Sequence, residues 1–152
     1  MAKNPGTISV RLPGYQRDRL RWRRRILWSV LRGQRESNVR YDPDARFEVV
    51  VLLYLKKGKR HDIHDVDNRL KDILDALQAR FGGPKSVRRE YRLFENDRQV
   101  SRVVIEKQPI PKSLSDDVGG RLLIRAYEPR RWPLQRTKGD QFRKPRKRRA
   151  AR

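Results

Sequence analysis

The residues best equipped for chemistry form one short run, Asp65-Val66-Asp67-Asn68-Arg69-Leu70-Lys71, answered further along by Glu95-Asn96-Asp97. Asp65, Asp67 and Asp97 with Lys71 stand where they could converge, in a chain that is otherwise strongly cationic. Clustered carboxylates repel one another unless a cation lies between them. The simplest candidate is a divalent metal ion acting on a phosphodiester. Mg2+ suits a few carboxylate oxygens completed by water and substrate phosphate, with Mn2+ as a substitute. Asp65 and Asp67 are two residues apart, so in an extended lead into a helix they fall on one side. Lys71 follows Asp67 by four and would sit one helical turn below it. The plainer alternative is that Asp-x-Asp only caps a helix and complements the positive end of its dipole. Asp72 reads as a surface acid, and Asp75 as a partner for Lys71.

Positioning these groups requires regular elements on either side. Thr7–Arg11 alternates like a strand, closed by Pro13-Gly14. Gln16 to Arg32 has helical periodicity, with Leu20, Leu27, Val30 and Leu31 on one side, Trp22 and Ile26 flanking, and Gly33 as the stop. Gln34 to Ala45 reads as a polar loop. Phe47–Leu55 is a nearly unbroken aliphatic and β-branched run, expected as a central strand covered on both faces. A helix should start between Asp65 and Asn68, pack through Leu70, Ile73, Leu74 and Leu77, and stop at Phe81-Gly82-Gly83-Pro84. Gln99–Lys107 reads as a strand. Gly120–Tyr127 reads as another, pairing with it as a hairpin across residues 108–119. The expected architecture is one mixed α/β domain, residues 1–128, with a central mixed β-sheet flanked by helices. From Pro129 onward apolar periodicity disappears, and eight Arg and three Lys stand against the single Asp140. Residues 129–152 are expected to form a basic tail, disordered until a partner orders it.

The chain has 152 residues and a formal charge of +22, far beyond what solubility needs, so a polyanionic partner is implied. Arginine outweighs lysine, which favours bidentate phosphate contacts. Arg17, Arg21, Arg24 and Arg25 of the first helix are expected to touch nucleic acid, as are the basic turn Lys57, Lys59, Arg60, then Arg69, Lys107 and the tail residues Arg143, Lys144, Arg146, Lys147, Arg148 and Arg149. Trp22 and Trp28 read as core or dimer-interface residues, and Trp132 as a ring that could stack on an unpaired base. His61 and His64 suggest a zinc site only superficially, since loop histidines are more often solvated or set against phosphate. The absence of cysteine excludes disulfides and thiolate zinc sites and permits a reducing compartment. No apolar run approaches a membrane span and no signal-peptide pattern occurs. These features together predict a soluble cytoplasmic protein, nucleoid-associated when bound to DNA, with no membrane partner and no small-molecule cofactor.

The pattern Asp65-x-Asp67-Asn68-x-x-Lys71, then Asp75-Ala76-Leu77, then an acidic segment before Gln99-Val100, resembles the RusA-type Holliday junction resolvases. The resemblance spans Phe47 to Lys107 and extends to the strand ending at Tyr127. It implies a small homodimeric, Mg2+-dependent endonuclease that nicks four-way DNA junctions symmetrically. It further implies metal-ligand or catalytic roles for Asp65, Asp67 and Asp97, and an essential catalytic-site role for Lys71. In this chain Asn96 replaces the first of the family's two usual acids, and the connection from helix to Asp97 is longer. The Pro- and Asn-rich loop expected after the first strand is missing, and the basic tail is additional. Two rival readings remain beside it: a non-catalytic basic protein that coats or bends nucleic acid, and a same-fold metal nuclease acting on flaps or duplex.

Overall fold

A four-stranded mixed sheet forms the frame in the computed structural model, which describes residues 6–56, 65–81 and 91–128. Among the described residues the strands and α-helices follow in the order β1 (Ile8–Pro13), α1 (Arg19–Ser37), β2 (Phe47–Leu55), α2 (Val66–Leu77), β3 (Val100–Pro109) and β4 (Val118–Ala126). The spatial order is β1-β4-β2-β3. β4 runs antiparallel to both β1 and β2, whereas β2 and β3 are parallel. The expected hairpin between the last two strands does not form. β4 inserts between β1 and β2, where Leu122 and Ile124 join a fully buried layer with Ile8, Val49 and Val51. A hairpin partner at the outer edge of β3 would have left those side chains without that layer.

Period-two alternation gives the sheet one core face. Ile8 and Leu12 of β1, Phe47, Val49, Val51 and Leu53 of β2, and Leu122 and Ile124 of β4 are all buried there. Against them pack Trp22, Ile26 and Val30 of α1 and Ile73, Ala76 and Leu77 of α2. Trp22 is held by its indole N–H, which donates to the Pro13 carbonyl at 2.9 Å, and by an edge-on contact with Tyr15 at 5.3 Å. Such a ring pair contributes roughly 0.5–1.5 kcal/mol beyond its area. Leu20, expected on the packing side, is instead exposed. Trp28 is 54% exposed, its ring 5.7 Å from that of Tyr91.

The two-faced cover expected for β2 is also corrected, because both described helices lie on one side of the sheet. On the other side Val50, Leu52 and Tyr54 are half-buried. Their neighbours in register are Leu123 and Val104 for Val50, Arg121 and Glu106 for Leu52, and Gln108 for Tyr54. Long charged side chains can shield apolar surface with their stems, so an unbroken aliphatic run does not require a second helical layer. Glu48, 4% exposed, is flanked in register by Arg102 and Arg125 and bonded to both. That bond and charge raise the Arg125 guanidinium above its ordinary value.

Gly33 does not stop α1. Asp18 caps the helix start by accepting from the Arg21 N–H at 3.0 Å, and the helix runs to Ser37. Asn38 ends it in the left-handed conformation, φ 50°. Gly33 instead permits close approach, since a Cβ there would lie 2.4 Å from Val10 Cγ1. α2 likewise ends earlier than the glycine pair suggests, at Leu77, with Ala79 left-handed at φ 55°.

Candidate functional site

Asp65 is the N-cap of α2 and engages both carboxylate oxygens locally. One lies 3.1 Å from the Asp67 N–H and 3.5 Å from that of Asn68, and the other accepts from the Asn68 side-chain amide at 2.8 Å. Asp67 and Lys71 stand exposed on the first turns of the helix, four residues apart on one face. The capping geometry anticipated as the plainer alternative is therefore present, and it leaves Asp67 directed at solvent beside Lys71's turn.

The same acid that looked like surface charge is the most buried among the described acids. Asp72 is 0% exposed and gathers three guanidinium groups, Arg19 at 2.8 Å, Arg23 at 2.7 Å and Arg69 at 3.2 Å. Its hydrogen bond and charge raise Arg19 above the ordinary guanidinium value. Asp75 pairs with Arg23 at 3.0 Å, where Lys71 was the expected partner. Arg69, expected to contact DNA, is only 8% exposed, and its guanidinium lies 3.5 Å over the Tyr15 ring. Position 69 falls on the inner side of α2, so this arginine clamps two helices together and is withdrawn from any ligand outside. Its buried Nε has no hydrogen-bond partner, so the stack on Tyr15 carries that edge of the group. The pairing was visible only as matched spacing, Arg19 and Arg23 four apart on α1, Asp72 and Asp75 three apart on α2.

This clamp sets the two helices side by side with their N-termini at one end of the sheet. Arg19 faces Asp72, while Arg23 faces Asp75 and donates to the Arg80 carbonyl at 3.4 Å, so α1 and α2 advance in the same direction. Tyr15, just beyond the end of β1, meets Arg69 near the start of α2. Arg21, Arg24 and Arg25 are exposed on α1, and Arg17 is exposed just before its cap. Arg17 and Arg21 thus share an end with Asp65, Asp67 and Lys71.

Asp97 lies at the other end. The Leu93 N–H donates to the carbonyl of Leu77, the last residue of α2, and the Phe94 ring is 5.4 Å from that of Phe47, the first residue of β2. Asn96 then caps a 3-10 turn, Asp97–Gln99, and the Gln99 amide reaches back to the carbonyls of Pro43 and Ala45 at 2.9 and 3.1 Å. The twelve residues of α2 span about 18 Å, which separates Asp97 from Asp65 and Asp67. Parallel pairing of β2 with β3 is the cause, because the chain must return along α2 before β3 begins. Among the described residues no three Asp, Glu or His side chains gather closely enough to hold a metal ion. Asp97 is exposed, and its neighbours Asn96 and Arg98 line a hollow of about 350 Å³ together with Asp44, Arg46 and Glu95 among others.

Lys107 is half-buried and paired in register with Leu53, which turns it toward the helix-bearing face. The turn Lys57, Lys59 and Arg60, both histidines, Trp132 and the tail from Arg143 to Arg149 lie outside the described residues. No described helix is long and apolar enough to cross a membrane. No protein-family model matches this chain, and no curated protein matches it in sequence.

Proposed function

We propose that this protein is a metal-dependent endonuclease of branched DNA, acting as a homodimer in the manner its motif resemblance to RusA-type resolvases implies. One observation carries the reading. The buried Asp72 clamp sets α2, with exposed Asp67 and Lys71 on its first turns, parallel to α1, with exposed Arg21 on its first turn and exposed Arg17 just before it, so a carboxylate suited to a cation and guanidinium groups suited to phosphate share one end. Arginines of α1 would grip the DNA backbone through bidentate contacts. Lys71 would neutralise charge developing on the scissile phosphate or position the attacking water. A bound Mg2+ would supply water activation and leaving-group stabilisation.

Within one chain the three acids do not fit a single ion, because Asp97 is a helix length away. A site using all three takes Asp65 and Asp67 from one copy and Asp97 from a second. Two opposed nicks in a quasi-two-fold junction also call for two copies of the site.

The test uses a labelled synthetic four-way junction and a matched linear duplex, each with wild-type protein and Asp67→Asn, in Mg2+ and in EDTA. Paired nicks confined to the junction, lost in Asp67→Asn and in EDTA while junction binding persists, are expected. Mixing Asp67→Asn with Asp97→Asn should restore nicking if the acids come from two chains, since a mixed dimer keeps one intact site. Equal cutting of duplex would discard the junction preference. Tight binding with no nick under any condition would favour the non-catalytic architectural reading, to which the capping role of Asp65 already lends weight.

A further inference from the structure

The sheet face turned away from the helices carries two unlike ends. At the Phe47 end the protein supplies its own anion, with Glu48 set between Arg102 and Arg125. At the opposite end Arg11 of β1 and Arg121 of β4 stand directly opposite each other in register, both exposed. Like charges so placed across neighbouring strands are destabilising unless something negative joins them. A hollow of about 390 Å³ opens there, lined by Ser9, Arg11, Tyr54, Pro111, Leu114 and Arg121 among others, with no carboxylate among the described residues of its wall. Arg121 is oriented by its Nε–H, which donates to Ser9 Oγ at 3.1 Å. The nearby Asp117 is bonded to Ser115, which with Arg25 and Arg11 holds it below the usual carboxylate range. A volume of this order suits one small ligand. Its wall combines a guanidinium pair, an aromatic ring and two apolar side chains, Pro111 and Leu114.

We propose that this hollow holds one unpaired nucleotide of a DNA strand, its phosphate between Arg11 and Arg121 and its base against the Tyr54 ring. The hollow lies at the same end of the sheet as the start of α2, since Tyr54 is next to last in β2 and Tyr15, which follows β1, meets Arg69 of α2. A strand leaving a branch point at the helices therefore reaches it round the end of the sheet. The proposal rests on the DNA-binding reading above but not on cleavage. Guanidinium pairs recognise phosphate bidentately, and aromatic rings stack on any base.

The experiment measures fluorescence anisotropy of labelled oligothymidylate and of blunt duplex with full-length protein, as wild type, Tyr54→Ala, Tyr54→Phe and Arg121→Gln, with a thermal melt of each. Tyr54→Ala should weaken oligothymidylate binding about 5- to 150-fold, the range for loss of one stacked base. Duplex binding should stay within about twofold, and Tyr54→Phe should bind as wild type. Arg121→Gln should reduce the salt slope for oligothymidylate by about one. Equal losses on both DNAs, or none on either, would overturn the proposal while leaving Asp67-dependent nicking intact. If Tyr54→Ala melts early, photocrosslinking of wild-type protein to iododeoxyuridine-substituted oligothymidylate decides. Attachment at Tyr54 supports the site, and attachment only elsewhere removes it. A protein that binds neither DNA overturns both this proposal and the function it rests on.

Discussion

Asp72 illustrates how a single carboxylate can organise a cationic protein. Three guanidinium groups converge on a side chain with no exposure, and two of them, Arg23 and Arg69, are themselves about nine-tenths buried in the side chain. Removing the acid leaves positive charges facing one another in a poorly solvated seam. Asp72→Ala should therefore lower unfolding free energy by about 3–5 kcal/mol in urea denaturation, the usual cost of breaking a buried ion pair. Adding Arg69→Leu should recover part of that loss, because it removes one orphaned charge. No recovery would mean that Arg69 does not depend on Asp72. A second residue makes stability depend on pH. Tyr41 Oη lies 2.9 Å from the carbonyls of Gly6 and Ile124, and burial pushes its pKa up to about 12 from an ordinary 10.0. The folded state holds this proton more tightly than the unfolded one. The resulting stabilisation is complete below about pH 10 and is lost as pH rises through about 12. Denaturation midpoints for wild type should fall across that window more steeply than for Tyr41→Phe.

At the scale of elements, α1 lies against β1 because Gly33 lets the two backbones approach. Replacing a helix-interior glycine by alanine ordinarily gains about 1 kcal/mol. Here the new Cβ would stand 2.4 Å from Val10 Cγ1, on a β-branched side chain with little freedom to turn away. Gly33→Ala should thus destabilise by about 1–3 kcal/mol, as overpacking does. In a Val10→Ala background the same change should become neutral or stabilising, a reversal that a double-mutant cycle reads directly. α2 answers to a different constraint. Its outer face carries Asp67 and Lys71 while Arg69 and Asp72 face inward, so one turn of helix divides between solvent chemistry and internal bracing.

For the molecule as a whole, the charge of +22 is unevenly used. Arg19, Arg23, Arg69, Arg102 and Arg125 are compensated internally by Asp72, Asp75 and Glu48. Arg17, just before α1, and Arg21, Arg24 and Arg25 on it remain exposed, and residues 129–152 bring eight Arg and three Lys more. Each phosphate neutralised contributes roughly −0.9 to the slope of log affinity against log salt. Deleting residues 129–152 should flatten that slope by about 0.9 for every phosphate the tail neutralises, and weaken binding at low salt more than at high salt. Under the proposed function the shortened protein still nicks junctions. An unchanged slope would show that the tail takes no part in DNA contact.

Local patterns were enough for much of this protein. Phe47–Leu55 was legible as a strand because an unbroken β-branched run has few other uses, and α2 because its apolar spacing and Asp65 cap agree. Asp67 and Lys71 could likewise be placed on one helix face from their spacing of four. Three features were decided only in the tertiary structure. β4 chose β1 and β2 over β3, Asp72 and Arg69 turned inward, and Asp97 came to rest at the far end of α2 from the other acids. Each depends on which distant segment a strand or charge meets. Periodicity records which face of an element is apolar, whereas partner choice follows from the area and charge buried when all the elements assemble.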